Sequence, residues 1–400
     1  MLAVKRALTI YCAVLAGLTL LAWAFFPWKW PLFDPQLRFS DFTENYERLW
    51  LLAQGTWGGP VMFVYPAPAL AVFAFFIRVF SQPVTAFLIF SAAVYLAAAT
   101  LLRRAIGPQR ELSTIVPITI AITLLCAYPA VFQMDRGNIE IVSFLFLLGG
   151  VTCFIRQQYW AAAILFGLAG SIKPFPLLFV YLLLTKRLYK QVFFAGAIFL
   201  FANLLALAWI GPTVLDAYHS LAADKQIFFQ NFLLKYHPNA IHFDHSLFSC
   251  LKQAIRLLLG WTSEEAMAAR LTLAYLIYVP LAGIFAALCL WLFRNKPVLN
   301  QLFAVTVIVL VVPPLSYDYT LIELYIVWGA FVIHLLNDSP FARPLIFLIP
   351  FAILMTPHPF LRFGMVGCGG QVNALLLLFL LAVAYKIDLP SSLFGELKVY

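Results

Sequence analysis

Charge is what this sequence has least of. Asp, Glu, Lys and Arg make up 11% of its 400 residues, where a soluble domain carries roughly a quarter. That shortage excludes a water-soluble fold. Cysteine is sparse too: of the 6 residues, Cys12, Cys126, Cys153 and Cys289 lie inside apolar runs, which excludes a disulfide scaffold. Only Cys250 and Cys368 fall in expected loops, and a bridge between them is the one pairing left open. Internal inverted repeats are not evident, which counts against a secondary transporter. No N-x-S/T sequon falls on the expected outer side, and Asn337-Asp338-Ser339 falls inside.

What is present is apolar, at 64% of the chain. Runs long enough to matter cover 7–26, 62–80, 84–102, 113–132, 139–155, 159–185, 191–210, 268–293, 298–315, 320–336, 343–356 and 371–386. At about 20 residues per crossing of an ~30 Å hydrocarbon core, the expected fold is all-α. It is a single polytopic membrane domain, 1–400, of about 10–12 transmembrane or half-spanning helices. The first run follows Lys5 and Arg6 and is expected to be retained as a span rather than cleaved as a signal.

The 26 basic residues outnumber the 17 acidic ones, yet this is no nucleic-acid binder, because the basic residues sit in short clusters between spans. Lys5/Arg6, Arg103/Arg104/Arg110, Arg156, Lys186/Arg187/Lys190, Arg294/Lys296, Arg343 and Lys386/Lys398 mark the cytoplasmic side. The other side then receives a first outer loop at 27–61, the MDRGN corner, a turn at Lys173, a large loop at 211–265, the SYDY corner and 357–370. Parity leaves two readings open: one of the runs 62–80 and 84–102, the first by its YPAP start, is partial or re-entrant, or the sidedness of the MDRGN corner is inverted. In SIKPFP, Pro174 and Pro176 remove backbone donors mid-run, so a helix break and a polar cavity are expected at Lys173.

The chemistry-bearing residues gather on the outer side. Asp41 stands at the start of an expected interfacial helix over 39–50, in which Phe42, Tyr46, Leu49 and Trp50 share a face. It reads either as an N-terminal cap or as a reactive carboxylate. Asp135, Arg136 and Asn138 either cap and snorkel or grip a phosphate or sugar. Lys173 is a compact point charge suited to phosphate. Tyr65, His242, His245, Ser246, Tyr317, Asp318 and Tyr319 are candidates for substrate contact. His237, His242, Asp244 and His245 also invite a metal reading, but their spacing fits no compact template, and the expectation is a metal-independent protein without cofactor. The outer histidines keep another lipid-modifying chemistry open, such as acyl transfer, and the intramembrane charges keep a transporter or flippase open.

The order of these features resembles the integral membrane glycosyltransferases of the GT-C superfamily, and within them glycosyltransferase family 87, the polyprenyl-phosphomannose-dependent type. The resemblance rests on the outer-loop aspartate, YPAP, the DRGN corner, SIKPFP, HSLF and PPLSYDY, spread over most of residues 1–340. It implies a GT-C-type bundle and transfer of a hexose, mannose in that family, from a polyprenyl-phosphate donor to a lipid or glycan hydroxyl outside a bacterial cytoplasmic membrane. It also implies that Asp41 is the base, Lys173, Arg136, Asp135 and Asn138 receive the donor's phosphate and sugar, and the anomeric centre inverts. Two departures stand out. DRGN matches the family corner only at Gly137 and Asn138, and Tyr317 and Tyr319 replace the usual tryptophan and histidine.

Overall fold

The structure is a computed structural model describing residues 2–25, 38–43, 65–106, 114–237, 241–260, 263–337, 343–358, 362–363 and 366–389. Apart from a two-residue antiparallel ladder pairing Arg362 with Gly367 and Phe363 with Val366, every regular element among these residues is helical. Seven described helices are long and apolar enough to cross a membrane: Ala3–Ala24, Pro83–Ile106, Ile115–Arg136, Tyr189–Ile210, Glu264–Phe293, Asp318–Leu336 and Gly369–Lys386. Shorter apolar helices lie between them at Ala67–Val79, Glu140–Ile155, Tyr159–Ile172, Phe175–Thr185, Val298–Val311 and Leu345–Leu354. The molecule is a polytopic membrane bundle.

Burial divides the helices by environment. Val298–Val311 is buried from Leu299 onward and Asp318–Leu336 over nearly all of its length, so these two form the centre. Tyr189–Ile210 and Glu264–Phe293 turn Phe193, Leu200, Phe201, Leu276 and Ile284 outward, a surface suited to lipid. Small residues allow close approach where helices are crowded. A Cβ on Gly150 would stand 2.6 Å from the Phe166 ring, and one on Gly167 would stand 2.6 Å from the Ala195 carbonyl, so Tyr159–Ile172 sits tightly between its neighbours.

Two irregularities place the site. The 13-residue helix Ala67–Val79 is about 20 Å long at 1.5 Å per residue, short of the ~30 Å core, in keeping with the partial segment expected at YPAP. The run 159–185 is broken: Tyr159–Ile172 stops at Lys173, whose backbone is extended at φ −140 and ψ 134. The chain resumes as a 3-10 turn, Phe175–Val180. Prolines 174 and 176 cause the break, since neither can donate to a continuing helix.

The loop expected at 211–265 is mostly helical, with Val214–Phe228, a π-helical turn Phe229–Leu233 and Leu247–Leu259. The expected interfacial helix is described only at Ser40–Thr43. Residues 44–64, with the rest of that helix and its Glu44 and Glu47, lie outside the described residues, as does Asp34. Cys250 and Cys368 are unbridged.

The ends of the bundle differ. Thr185 bonds to Gln301, which holds the carbonyls of Arg294 and Lys296, and Lys296 pairs with Asp388. These contacts gather Lys186, Arg187, Arg294, Lys296 and Lys386 at one end. Lys173, Val311 and Gly369 stand at the opposite ends of the segments that reach Thr185, Val298 and Lys386.

Candidate active site

The corner at 134–138 is built by its glycine. Helix Tyr128–Arg136 ends at Gly137 with φ 63 and ψ 37, a left-handed geometry that costs any other L-residue energy. The Asn138 amide then reaches the Gln133 carbonyl and the Gly137 amide the Met134 carbonyl, both at 3.1 Å, closing the helix end. Tyr95 OH donates to Gln133 Oε1 at 3.2 Å, and Gln133 Nε2 donates to the Asn138 carbonyl at 2.8 Å, bracing the turn from below.

Against this corner lies Ser40–Thr43. The Phe39 amide donates to the Asp135 carbonyl at 2.6 Å. Phe42 is fully buried, its ring 5.1 Å from Phe73 and 5.2 Å from Phe87. A Cβ on residue 137 would stand 3.0 Å from Phe42 Cβ. Phe42 thus anchors the turn that carries Asp41, and the lack of a side chain at 137 lets it approach.

Asn138 joins the parts. Its Oδ1 accepts from the Glu140 amide at 2.8 Å, opening the next helix, while Nδ2 donates to Asp41 Oδ2 at 2.6 Å and to Tyr65 OH at 2.8 Å. The capping role and a polar role are therefore both present in one side chain. Arg136 is buried over the Phe132 ring at 5.2 Å, with Nη1 3.5 Å from Ser40 Oγ. Desolvation raises the Asp41 carboxyl above its ordinary pKa, against the Asn138 hydrogen bond and the charges of Arg136 and Lys173.

Lys173 projects from the helix break between two rings, Tyr319 at 5.2 Å and Tyr65 at 5.9 Å, and is ion-paired with Glu140. Both line a cavity of about 260 Å³. Its polar wall comprises Tyr65, Glu140, Lys173, Tyr319, Thr320 and Glu323, and its apolar wall includes Phe175, Phe228, Leu233, Leu310 and Pro313. Tyr317 also lines it. The sequence reading passed over Glu140 and Glu323. An acidic residue inside an apolar run, as in NIEIV and LIELY, was the available signal. A second cavity of about 270 Å³ is walled by apolar side chains near Arg104 and Arg156 at the opposite end, and contains none of the candidates.

His242, His245, Ser246 and Asp318 do not line the Lys173 cavity; they bind one another and the backbone around them. His245 Nδ1 is 3.2 Å from Asp318 Oδ1, and Nε2 is 3.1 Å from Ser316 Oγ. Asn373 donates to Asp318 Oδ1 at 3.0 Å, and Ser246 Oγ caps Leu247–Leu259 by accepting from the Ser249 amide. Asp244 accepts from the amides of Ser246 and Ser316, and the Gly369 amide donates to His242 Nδ1 at 3.2 Å. The segment 242–246 is a strap that ties the large loop to the SYDY corner and to the start of Gly369–Lys386. Among the described residues, no group of three or more His, Cys, Asp or Glu side chains is gathered as a metal ion would require.

A carboxyl, a hydrogen-bonding amide, a lysine and a half-apolar cavity thus meet at one end of a membrane bundle. The sequence profile of glycosyltransferase family 87 matches residues 63–314, more than half of the chain. The chain belongs to glycosyltransferase family 87. It is a membrane glycosyltransferase. In this glycosyltransferase the matched segment takes in Tyr65, the 135–140 corner, Lys173 and the 242–246 strap; Asp41 precedes it, and Tyr317 and Tyr319 follow it. Comparison with curated proteins and with solved structures finds no match.

Proposed function

We propose that the enzyme moves a hexose, mannose by the family resemblance, from a polyprenyl-phosphate sugar to a hydroxyl of a lipid or glycan acceptor. The observation that carries this reading is the mixed lining of the cavity. A lysine and hydroxyl-bearing side chains share one hollow with apolar side chains, which suits a ligand that is a sugar phosphate at one end and a hydrocarbon at the other. Asp41 stands beside it, reached from Tyr65 through a shared Asn138 amide.

In the reaction, the acceptor oxygen attacks the anomeric carbon as the bond from that carbon to the phosphate oxygen breaks. The hydroxyl proton passes to the Asp41 carboxylate, and polyprenyl phosphate departs carrying the electron pair. Displacement in one step inverts the anomeric centre. General-base assistance is worth roughly 10²–10⁴-fold. Lys173 exchanges its bond to Glu140 for the phosphate as negative charge grows there, with Arg136 adding to the field, while Asp135 and Asn138 hold the corner against which the donor seats. The scheme uses no metal.

The active site faces outward from a bacterial cytoplasmic membrane in this reading. Its support is that Lys186, Arg187, Arg294, Lys296 and Lys386 collect at the end opposite Lys173, and basic residues favour the cytoplasm.

The test is direct. Purified enzyme is incubated with radiolabelled polyprenyl-phosphate mannose and glycolipid acceptors, with Asp41→Asn and Lys173→Ala in parallel. Label should reach the acceptor with the parent and fall to background with Asp41→Asn. Equal transfer by folded Asp41→Asn would overturn the assignment of the base, and label crossing the membrane without joining an acceptor would identify a flippase.

A further inference from the structure

Glu323 is a buried carboxyl with few partners. It is 1% exposed, it borders the Lys173 cavity, and, the Glu140 carboxyl beside it apart, neither carboxyl oxygen has a hydrogen-bond partner among the described residues. Its charged neighbours are Glu140, a second carboxyl, and Lys173. A buried carboxyl without donors is costly. A single lysine, already paired with Glu140, offsets only one of two negative charges.

We propose that Glu323, together with Glu140, grips hydroxyl groups of the transferred sugar and determines which sugar the enzyme accepts. The proposal rests on the function given above and adds a residue to it. The missing partners are hydrogen-bond donors, and adjacent sugar hydroxyls supply them in the spacing that paired carboxyl oxygens accept. A phosphate cannot take this place, because its charge would be set against two carboxyls. Phosphate therefore belongs on the Lys173 face and the sugar on the Glu323 face. Tyr319 and Thr320 precede Glu323 on the same 3-10 turn, Asp318–Glu323, and Tyr319 and Tyr65 offer flat rings beside the sugar. A site built to pair with a hydroxyl discriminates strongly against an analogue that presents it elsewhere, because the buried acceptor is then left without a donor.

The test measures kcat and KM of the parent and of Glu323→Gln with polyprenyl-phosphate mannose and with its glucose epimer, alongside inhibition by sugar-free polyprenyl phosphate. Glu323→Gln should raise the donor KM on the order of ten- to hundredfold, narrow the preference between epimers, and leave inhibition by polyprenyl phosphate unchanged. Lys173→Ala should weaken that inhibition instead. Unaltered KM and epimer preference in folded Glu323→Gln overturn the proposal, as does an equal loss of affinity for sugar-free polyprenyl phosphate. Should Glu323→Gln fail to fold, Glu323→Asp carries the same test, since withdrawing the oxygens must still change the epimer preference. Inactivity of the parent with every polyprenyl-phosphate sugar defeats the underlying function and this proposal with it, whereas a silent Asp41→Asn beside an unaffected Glu323→Gln defeats this proposal alone.

Discussion

Asn138 and Asp41 lie 97 positions apart in sequence, and a 2.6 Å hydrogen bond joins Asn138 Nδ2 to Asp41 Oδ2. The same side chain caps the helix that begins at Glu140. Asn138→Ala should therefore lower both stability, by about 0.5–2 kcal/mol for the lost cap, and the rate of transfer. Asn138→Ser keeps a capping oxygen but puts one shorter hydroxyl where the amide bonds both Asp41 and Tyr65, so thermal unfolding should recover toward the parent while kcat does not. Recovery of both would mean that the bond to Asp41 is dispensable.

With Asp41 as the proposed base, the pH profile reports on its carboxyl. A base works only when ionised, and desolvation holds this carboxyl above its ordinary pKa. Activity should therefore rise with pH through a limb above about 3.9, the value of a free aspartate, and the enzyme should be silent below it. Lys173 lowers the Asp41 pKa, so Lys173→Gln should move that limb to higher pH as well as reduce kcat. Measuring kcat/KM against pH for both proteins checks the sign.

Gly137→Ala should be among the most damaging single-methyl additions. The residue sits at φ 63 and its Cβ would stand 3.0 Å from Phe42 Cβ, so the variant meets a backbone cost of roughly 1–2 kcal/mol and pushes against the turn carrying Asp41. A lower unfolding midpoint together with a reduced kcat is expected. A fall in midpoint alone would show that the turn tolerates the shift.

Asp318→Asn tests the strap. Asp318 is 3% exposed and is held by His245, Asn373 and Tyr128. Its replacement should cost about 1–3 kcal/mol in folding while leaving the donor KM unchanged well below the unfolding temperature. A changed KM with intact stability would return this residue to the substrate.

The helices were legible in the sequence because their cause is local. Each apolar run became a helix, and SIKPFP broke at Lys173 because a proline lacks an amide wherever it stands. The segment 211–265 reads as a loop between apolar runs, and its helices were not legible because only tertiary contacts separate them from polar connecting chain. His245 and Asp318 read as candidates for substrate contact from the outer-loop histidines and from an aspartate between two tyrosines; the bond between them spans 73 positions, and no local pattern announces a partner so distant. Glu140 was missed for the opposite reason: it lies two residues from Asn138, and the apolar run following it disguised its place on the cavity wall.

Lys186, Arg187, Arg294, Lys296 and Lys386 gather at the end of the bundle away from the Lys173 hollow. On the function proposed above, a lipid-linked donor whose headgroup faces the other compartment would be out of the enzyme's reach, however abundant it is. Flux would then be bounded by whatever carries that headgroup across the bilayer.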